Sequence, residues 1–274
     1  SGMFTWALNI NGARNVNRVV RSGIGTGYTY RDYISGRLII DGKPVDSFYS
    51  YKFGGLNASG EPEFKDIEEN EGETKEDMFK KVFTYSGRRI PLMTGGFGNT
   101  FTYGGITLSG LFSFSFGSKI RLNDLFDNVF QTLPQPQQNM SKTFVYRWRK
   151  PGDERFTDIP SLSDSPLDDV KSTGFGAKRV HEIAVNRWQM YNKSDIRVVS
   201  GNYIRLRNLS LSYKFPASLL GNTKIKTLSF KIEMKNLGLW ASRRLKGQDP
   251  EQLALGGVST PPTSSYTLGI NVGF

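Results

Sequence analysis

The sequence predicts an all-β chain: about six antiparallel strands that fit the wall of a large transmembrane β-barrel with long loops at one end. Three observations carry that expectation. Several segments are apolar at every second residue, the composition favours aromatics and glycine, and the connections between segments are of two very different lengths. Alternation also suits a soluble β-sandwich, whose strands pack one face inward. On periodicity alone that alternative stays open.

The chain has 274 residues, of which 37% are hydrophobic and 13% aromatic, with 30 glycines. Such a balance suits strands and turns better than helices packed on leucine. No cysteine is present, which excludes disulfides and thiolate metal sites within this sequence, and the single histidine, His181, excludes a multi-histidine metal centre. No cofactor is expected. The net charge of +11 raises nucleic acid or an anionic membrane surface as partners. The basic residues are spread along the chain without a recognisable binding motif, so nucleic acid is not expected. The opening Ser1-Gly2-Met3 does not read as a signal peptide, having neither a basic n-region nor an apolar h-region, and no apolar run is long enough for a transmembrane helix.

A transmembrane strand needs only about 9–11 residues that alternate between lipid-facing apolar and lumen-facing polar side chains. Phe4, Trp6, Leu8 and Ile10 alternate with Thr5, Ala7, Asn9 and Asn11. Phe97, Phe101 and Tyr103 alternate with Gly98, Thr100 and Thr102, with Asn99 an intruder on the apolar side. Ile106, Leu108, Phe112, Phe114 and Phe116 oppose Thr107, Ser109, Ser113 and Ser115, with Leu111 the exception. Leu209, Leu211, Tyr213 and Phe215 oppose Asn208, Ser210, Ser212 and Lys214. Leu228, Phe230, Ile232 and Met234 oppose Ser229, Lys231, Glu233 and Lys235. The last segment sets Tyr266, Leu268, Ile270, Val272 and Phe274 against Thr267, Gly269, Asn271 and Gly273.

The connections 103–106 and 215–224 are brief, whereas 20–93, 121–200 and 237–263 are long. Short turns on one side and long loops on the other are the layout of an outer-membrane barrel. Charges on the polar side, such as Lys231, Glu233 and Lys235, suit a wet lumen better than a covered surface. Lumen-lining candidates are therefore Thr107, Ser109, Ser113, Ser115, Lys231, Glu233 and Lys235.

Two loop stretches invite a chemical reading. Glu61, Glu63, Asp66, Glu68, Glu69, Glu71, Glu73, Glu76 and Asp77 supply hard oxygen ligands but lack the order of a compact calcium loop, so a solvated loop is expected and no metal is assigned. In RWRKPGDERFTD, Trp148 sits among Arg147, Arg149 and Lys150 before a Pro151-Gly152 turn. An aromatic flanked by cations can stack on a sugar or meet an acidic partner, or the turn simply organises the loop. Arg147, Trp148 and Arg149 are kept as outer-loop partner or substrate candidates. No hydrolase, metalloprotease, P-loop or complete dinucleotide motif is present: GIGTG (23–27) lacks the spacing that follows, and Asp168 and Asp169 lie in a serine- and proline-rich loop. The chain is not expected to be an enzyme.

Long motifs then narrow the class. GKPVDSFYSYKFGGLNASGEPEFKD (42–66), IPLMTGGFGNTFTYGGITLSGLFSFSFGSKIRL (90–122), YRWRKPGDERFTDIP (146–160), YNKSDIRVVSGNYIRLRNLSLSYKFP (191–216) and GQDPE (247–251) resemble the C-terminal part of the SusC/RagA family of TonB-dependent outer-membrane transporters. The resemblance covers essentially the whole chain, 1–274. It implies localisation in the cell outer membrane and import of oligosaccharides or peptides together with a SusD-like surface lipoprotein. Further partners follow from it: outer-membrane lipid, and TonB acting through an N-terminal part absent from this sequence. A non-transporting glycan-binding β-domain is the alternative.

The resemblance places Phe274 at the periplasmic rim, so the long segments face outward. It also makes Tyr266, Leu268, Ile270, Val272 and Phe274 the signal read by the barrel-assembly machinery. About six strands cannot close a barrel of the family's size, because closure removes unpaired edges in lipid. A plug and the remaining wall are therefore expected from the same polypeptide or from a second chain. Arg205 and Arg207 read as lying on the face of Leu209 and Leu211, above the hydrocarbon, near lipid headgroups or loop partners.

Overall fold

The structure is a computed structural model that describes residues 4–22, 28–67, 72–126, 137, 139–162, 187–221, 223–254 and 260–274. In chain order its elements begin with β1 (Phe4–Arg14), α1 (Tyr30–Ser35), β2 (Ser47–Tyr51), β3 (Phe53–Leu56) and β4 (Pro62–Phe64). They continue with α2 (Lys75–Val82), β5 (Phe83–Arg88), β6 (Met93–Tyr103), β7 (Ile106–Phe116), β8 (Lys119–Arg121) and α3 (Arg187–Asn192). The last are β9 (Val198–Ser200), β10 (Tyr203–Lys214), α4 (Ala217–Leu220), β11 (Thr227–Ala241), α5 (Pro250–Ala254) and β12 (Ser265–Gly273). The chain divides into two units, Ser1–Val16, Ile90–Ser118 and Ser200–Phe274 forming one, Asn17–Arg89 and Lys119–Val199 the other.

The first unit is built on a six-stranded antiparallel sheet in the order β1-β6-β7-β10-β11-β12. Each strand thus lies beside its predecessor among the sheet's strands, as in an up-and-down barrel wall. The register puts all long connections at one end. Arg14 pairs with Met93, Met93 with Phe116, Tyr203 with both Ser115 and Ala241, and Lys235 with Ser265. The opposite end holds the tight turns. Tyr103 pairs with Ile106 across Gly104-Gly105, whose φ values of 53° and 88° are the left-handed pair that a two-residue hairpin demands. A Cβ on Gly105 would stand 2.6 Å from the Lys214 carbonyl, so glycine is required twice over. Pro216 lies beyond the last residue of β10 and opens α4, where its missing N–H costs no ladder bond.

Side chains on paired residues share a face, and the register gathers the predicted apolar positions on one side. Trp6 pairs with Phe101, Phe97 with Phe112, Leu108 with Leu211, Leu211 with Ile232, and Ile232 with Leu268. Phe97 and Phe112 stack at 4.7 Å between ring centroids. This face is uncovered, with Trp6 58%, Ile10 67% and Leu268 80% exposed. A soluble sheet hides such a face; a lipid-embedded one presents it. Both sequence irregularities have a local reason. Asn99, on the apolar side, accepts a hydrogen bond from Trp6 Nε1 at 3.1 Å. Leu111 stands on the polar side opposite Gly98, whose lack of a side chain leaves it room.

One expectation is corrected. Arg205 and Arg207 do not lie on the face of Leu209 and Leu211. Leu206 pairs with Phe112 and Asn208 with Leu111, so Arg207 is an extra residue in β10, a β-bulge. Because side chains alternate with period two, one inserted residue reverses every face beyond it. Ile204 and Leu206 therefore join Phe114 and Phe112 on the apolar side, and Tyr203 and Arg205 turn to the side of Ser115 and Ser113. The neighbouring strand adapts at Asn236, whose φ of 54° is left-handed, and β11 then runs on to Ala241, beyond the predicted strand end.

The second unit has its own aromatic core. Tyr33, Tyr49, Tyr51, Phe79 and Phe83, with Met78 and Val82, are buried between α1, α2 and the ladder of β2 with β5. A smaller cluster joins Phe144, Trp188 and Tyr191. The acidic stretch expected as a solvated loop runs into α2, where the Thr74 hydroxyl caps the Asp77 N–H and Glu76 reaches Lys80 one turn on at 2.7 Å.

Candidate functional site

The polar face of the wall carries all the predicted lumen-lining residues together. On β7, Thr107 bonds Thr102 at 3.2 Å and Ser109 bonds Thr100 at 3.0 Å, so the hydroxyls tie neighbouring strands across the face. Ser113 and Ser115 continue the row toward the long-loop end, where Ser115 is buried. On β11, Glu233 stands between Lys231 and Lys235 at 2.7 and 3.4 Å and accepts from Asn208 Nδ2 at 2.7 Å. The two lysine side chains stay about half exposed, at 46% and 55%, against 22% for Glu233, so this face presents more available positive charge than negative.

Above this strip the bulge builds a second constellation. Arg205 Nη2 donates to Asp249 Oδ2 at 2.5 Å and lies 3.3 Å from Glu251 Oε2. Arg207 donates from Nε to Ser113 Oγ at 2.7 Å and from Nη2 to Glu251 Oε1. The Tyr203 hydroxyl donates to the same carboxylate oxygen at 2.5 Å. Both acids come from the connection between β11 and β12. Its fold is set by a short turn at Arg243–Leu245 that buries Leu245, and by the Asp249 carboxylate, which accepts the Glu251 N–H at 3.0 Å where α5 begins. Burial alone pushes the Glu251 carboxyl up, but the hydrogen bonds from Tyr203 and Arg207 and the charge of Arg205 outweigh it and hold the group below the usual carboxylate range. Sequence reading placed Arg205 and Arg207 near loop partners but did not identify Asp249 and Glu251. The available signal was two arginines in a strand and two acids in GQDPE.

The outer-loop candidates lie in the second unit, where Arg147 and Arg149 are engaged within their own loop and Trp148 also packs on the turn between β3 and β4. Trp148 lies flat on Gly60, where a Cβ would come within 2.4 Å of the indole, and its Nε1 donates to Glu154 Oε2 at 3.1 Å. Arg147 Nη1 donates to the Phe144 carbonyl at 3.0 Å, and Arg149 Nη2 to that of Val145 at 2.6 Å. Asp66 pairs with Lys52 at 2.6 Å and Glu73 with Lys81 at 2.7 Å. Among the described residues no cluster of acids and histidines could hold a metal ion. Glu68, Glu69, Glu71, Asp168, Asp169, His181 and residues 23–27 lie outside the described residues. On β12, Tyr266, Leu268, Ile270 and Val272 line the apolar face, and Phe274 follows the strand, 77% exposed.

Comparison with known proteins finds no matching family model. The chain is 24% identical, over 302 aligned positions, to TonB-dependent receptor P3 of Formosa agariphila, covering 99% of this chain and 27% of that protein. A structure of the RagAB peptide transporter aligns with a TM-score of 0.67 and 21% identity over 99% of this chain and 27% of its own. The RagAB peptide importer in its open-open state aligns at 0.66 with 20% identity, over 100% of this chain and 27% of its own. The chain has the barrel-wall fold of the TonB-dependent receptors. The present chain spans little more than a quarter of the length of these proteins.

Proposed function

We propose that residues 1–274 are the C-terminal barrel segment of a TonB-dependent outer-membrane importer that takes up oligosaccharides or peptides with a SusD-like surface lipoprotein. The plug, the TonB-contacting segment and the rest of the wall belong to the same polypeptide or to a second chain. Support comes above all from the two-faced wall: an apolar side left open across the sheet, a polar side with hydroxyls and charges, and long connections at one end only. Thr107, Ser109, Ser113, Ser115, Lys231, Glu233 and Lys235 line the path of the solute. Arg147 and Arg149 offer contacts to the lipoprotein or substrate, while Trp148 holds its turn. Tyr266 to Phe274 is the assembly signal. The peptide-transporting relatives favour a peptide substrate without excluding a glycan.

A glycan-binding β-domain that does not transport is the weaker reading. It leaves Leu211 and Phe230, each 42% exposed on the apolar face, uncovered. Deleting the full-length gene and, separately, uncoupling TonB test the importer reading. Loss of growth on defined peptides or oligosaccharides in both strains supports it; growth that survives both sinks it.

A further inference from the structure

We propose that the outer end of the polar face between β10 and β11 is a carboxylate-binding site, occupied in this state by the chain's own Glu251, and that a carboxylate-bearing solute replaces Glu251 on Arg207. The inference deepens the importer reading and rests on it.

Glu251 itself displays the receptor. Its carboxylate takes hydrogen bonds from Tyr203 at 2.5 Å and from Arg207, with Arg205 at 3.3 Å. Charge-assisted donors converging from two guanidinium groups and a phenol form a carboxylate receptor. The two halves of the cluster differ in kind. Arg205 and Asp249 are 3% and 0% exposed, so parting them strands a buried charge. Arg207 and Glu251 are 36% and 31% exposed, where solvent weakens the pair and an incoming anion has access. The inner pair is the fixed anchor and the outer pair the exchangeable one.

Arg207 stays oriented when Glu251 leaves, because the bulge fixes its backbone and Ser113 Oγ accepts from its Nε at 2.7 Å. The local charge favours the exchange. Arg205, Arg207, Lys231 and Lys235 face Asp249, Glu251 and Glu233, and Lys235 is held only loosely, 3.4 Å from Glu233. Replacing one carboxylate by another keeps the Tyr203 and Arg207 donors satisfied, whereas a neutral solute leaves Arg207 without an anion. The site thus selects for a carboxylate, from a peptide C-terminus or from a uronate.

The test uses the full-length protein in detergent and two probe pairs: an octapeptide of glycine and alanine with a free or an amidated C-terminus, and tetragalacturonate or maltotetraose. Removing an internal competitor raises the competent fraction, so Glu251→Ala and Glu251→Gln are expected to tighten the carboxylated member of one pair by about tenfold while leaving its neutral counterpart unchanged. Adding Arg207→Gln to Glu251→Ala is expected to abolish that gain. The pair that responds identifies the source of the carboxylate. Equal effects on charged and neutral probes, or no binding of any probe by wild type and variants, overturn the inference. The importer reading is judged separately by TonB-dependent growth.

Discussion

Arg205 and Asp249 form a desolvated ion pair, Nη2 to Oδ2 at 2.5 Å, that fastens the connection between β11 and β12 to the polar face of the wall. It exists because Arg207 is an inserted residue. Without the bulge, Arg205 would point to the apolar side of Leu211.

Removing one partner of such a pair leaves the other charged and buried. Asp249→Ala is expected to destabilise the barrel by about 3–5 kcal/mol, while replacing both Arg205 and Asp249 by apolar residues of similar size recovers much of the loss. Thermal unfolding of the full-length protein in detergent, followed by its heat-dependent gel mobility, reads both variants.

The outer pair responds to acid. The Glu251 carboxyl titrates below its ordinary range in the folded protein, so its contribution is full above the unfolded value and is lost as pH falls toward the folded one. Protease cleavage in the β11–β12 connection is expected to increase between neutral pH and roughly pH 3, the range over which a carboxylate protonates. Glu251→Gln should flatten that dependence; an unchanged profile would mean that another group controls the loop.

The two faces of the wall should tolerate charge differently. Ile232→Lys sets a cation against hydrocarbon and is expected to cost about 2–4 kcal/mol, whereas Ser210→Lys on the polar face should cost little. Folding titrations of the full-length protein in lipid vesicles distinguish them.

Gly60 has a φ of +76° and lies under the Trp148 indole. Gly60→Ala forces both a strained backbone and a displaced ring, at about 1–3 kcal/mol. The expected signs are a shifted tryptophan emission and faster proteolysis between residues 146 and 160.

The wall was legible in the sequence because a strand with one face in lipid and one in water writes a period of two. The brief connections at 103–106 and 215–224 against the three long ones supplied its sidedness. The bulge was not legible: the chain from Tyr203 to Tyr213 reads as continuous, and which residue is surplus depends on Leu111 and Lys235 in neighbouring strands. The apolar-face assignment for Arg205 and Arg207 failed for that reason, and with it the link to Asp249 and Glu251. The core of the second unit escaped notice as well, because Tyr33, Tyr49, Phe79 and Phe83 come from short elements whose burial is set by distant residues.

The central claim is that one face of the wall meets lipid and the other a wet lumen. This sequence contains no cysteine, which lets single spin labels be placed cleanly in its strands. Labels at Leu211, Ile232 and Leu268, compared with labels at Ser210, Lys231 and Thr267 in the full-length protein in bilayers, test it most directly. The first set should be relaxed by oxygen and shielded from a water-soluble nickel complex, and the second set the reverse. Equal access of the nickel complex to both sets would contradict a membrane wall.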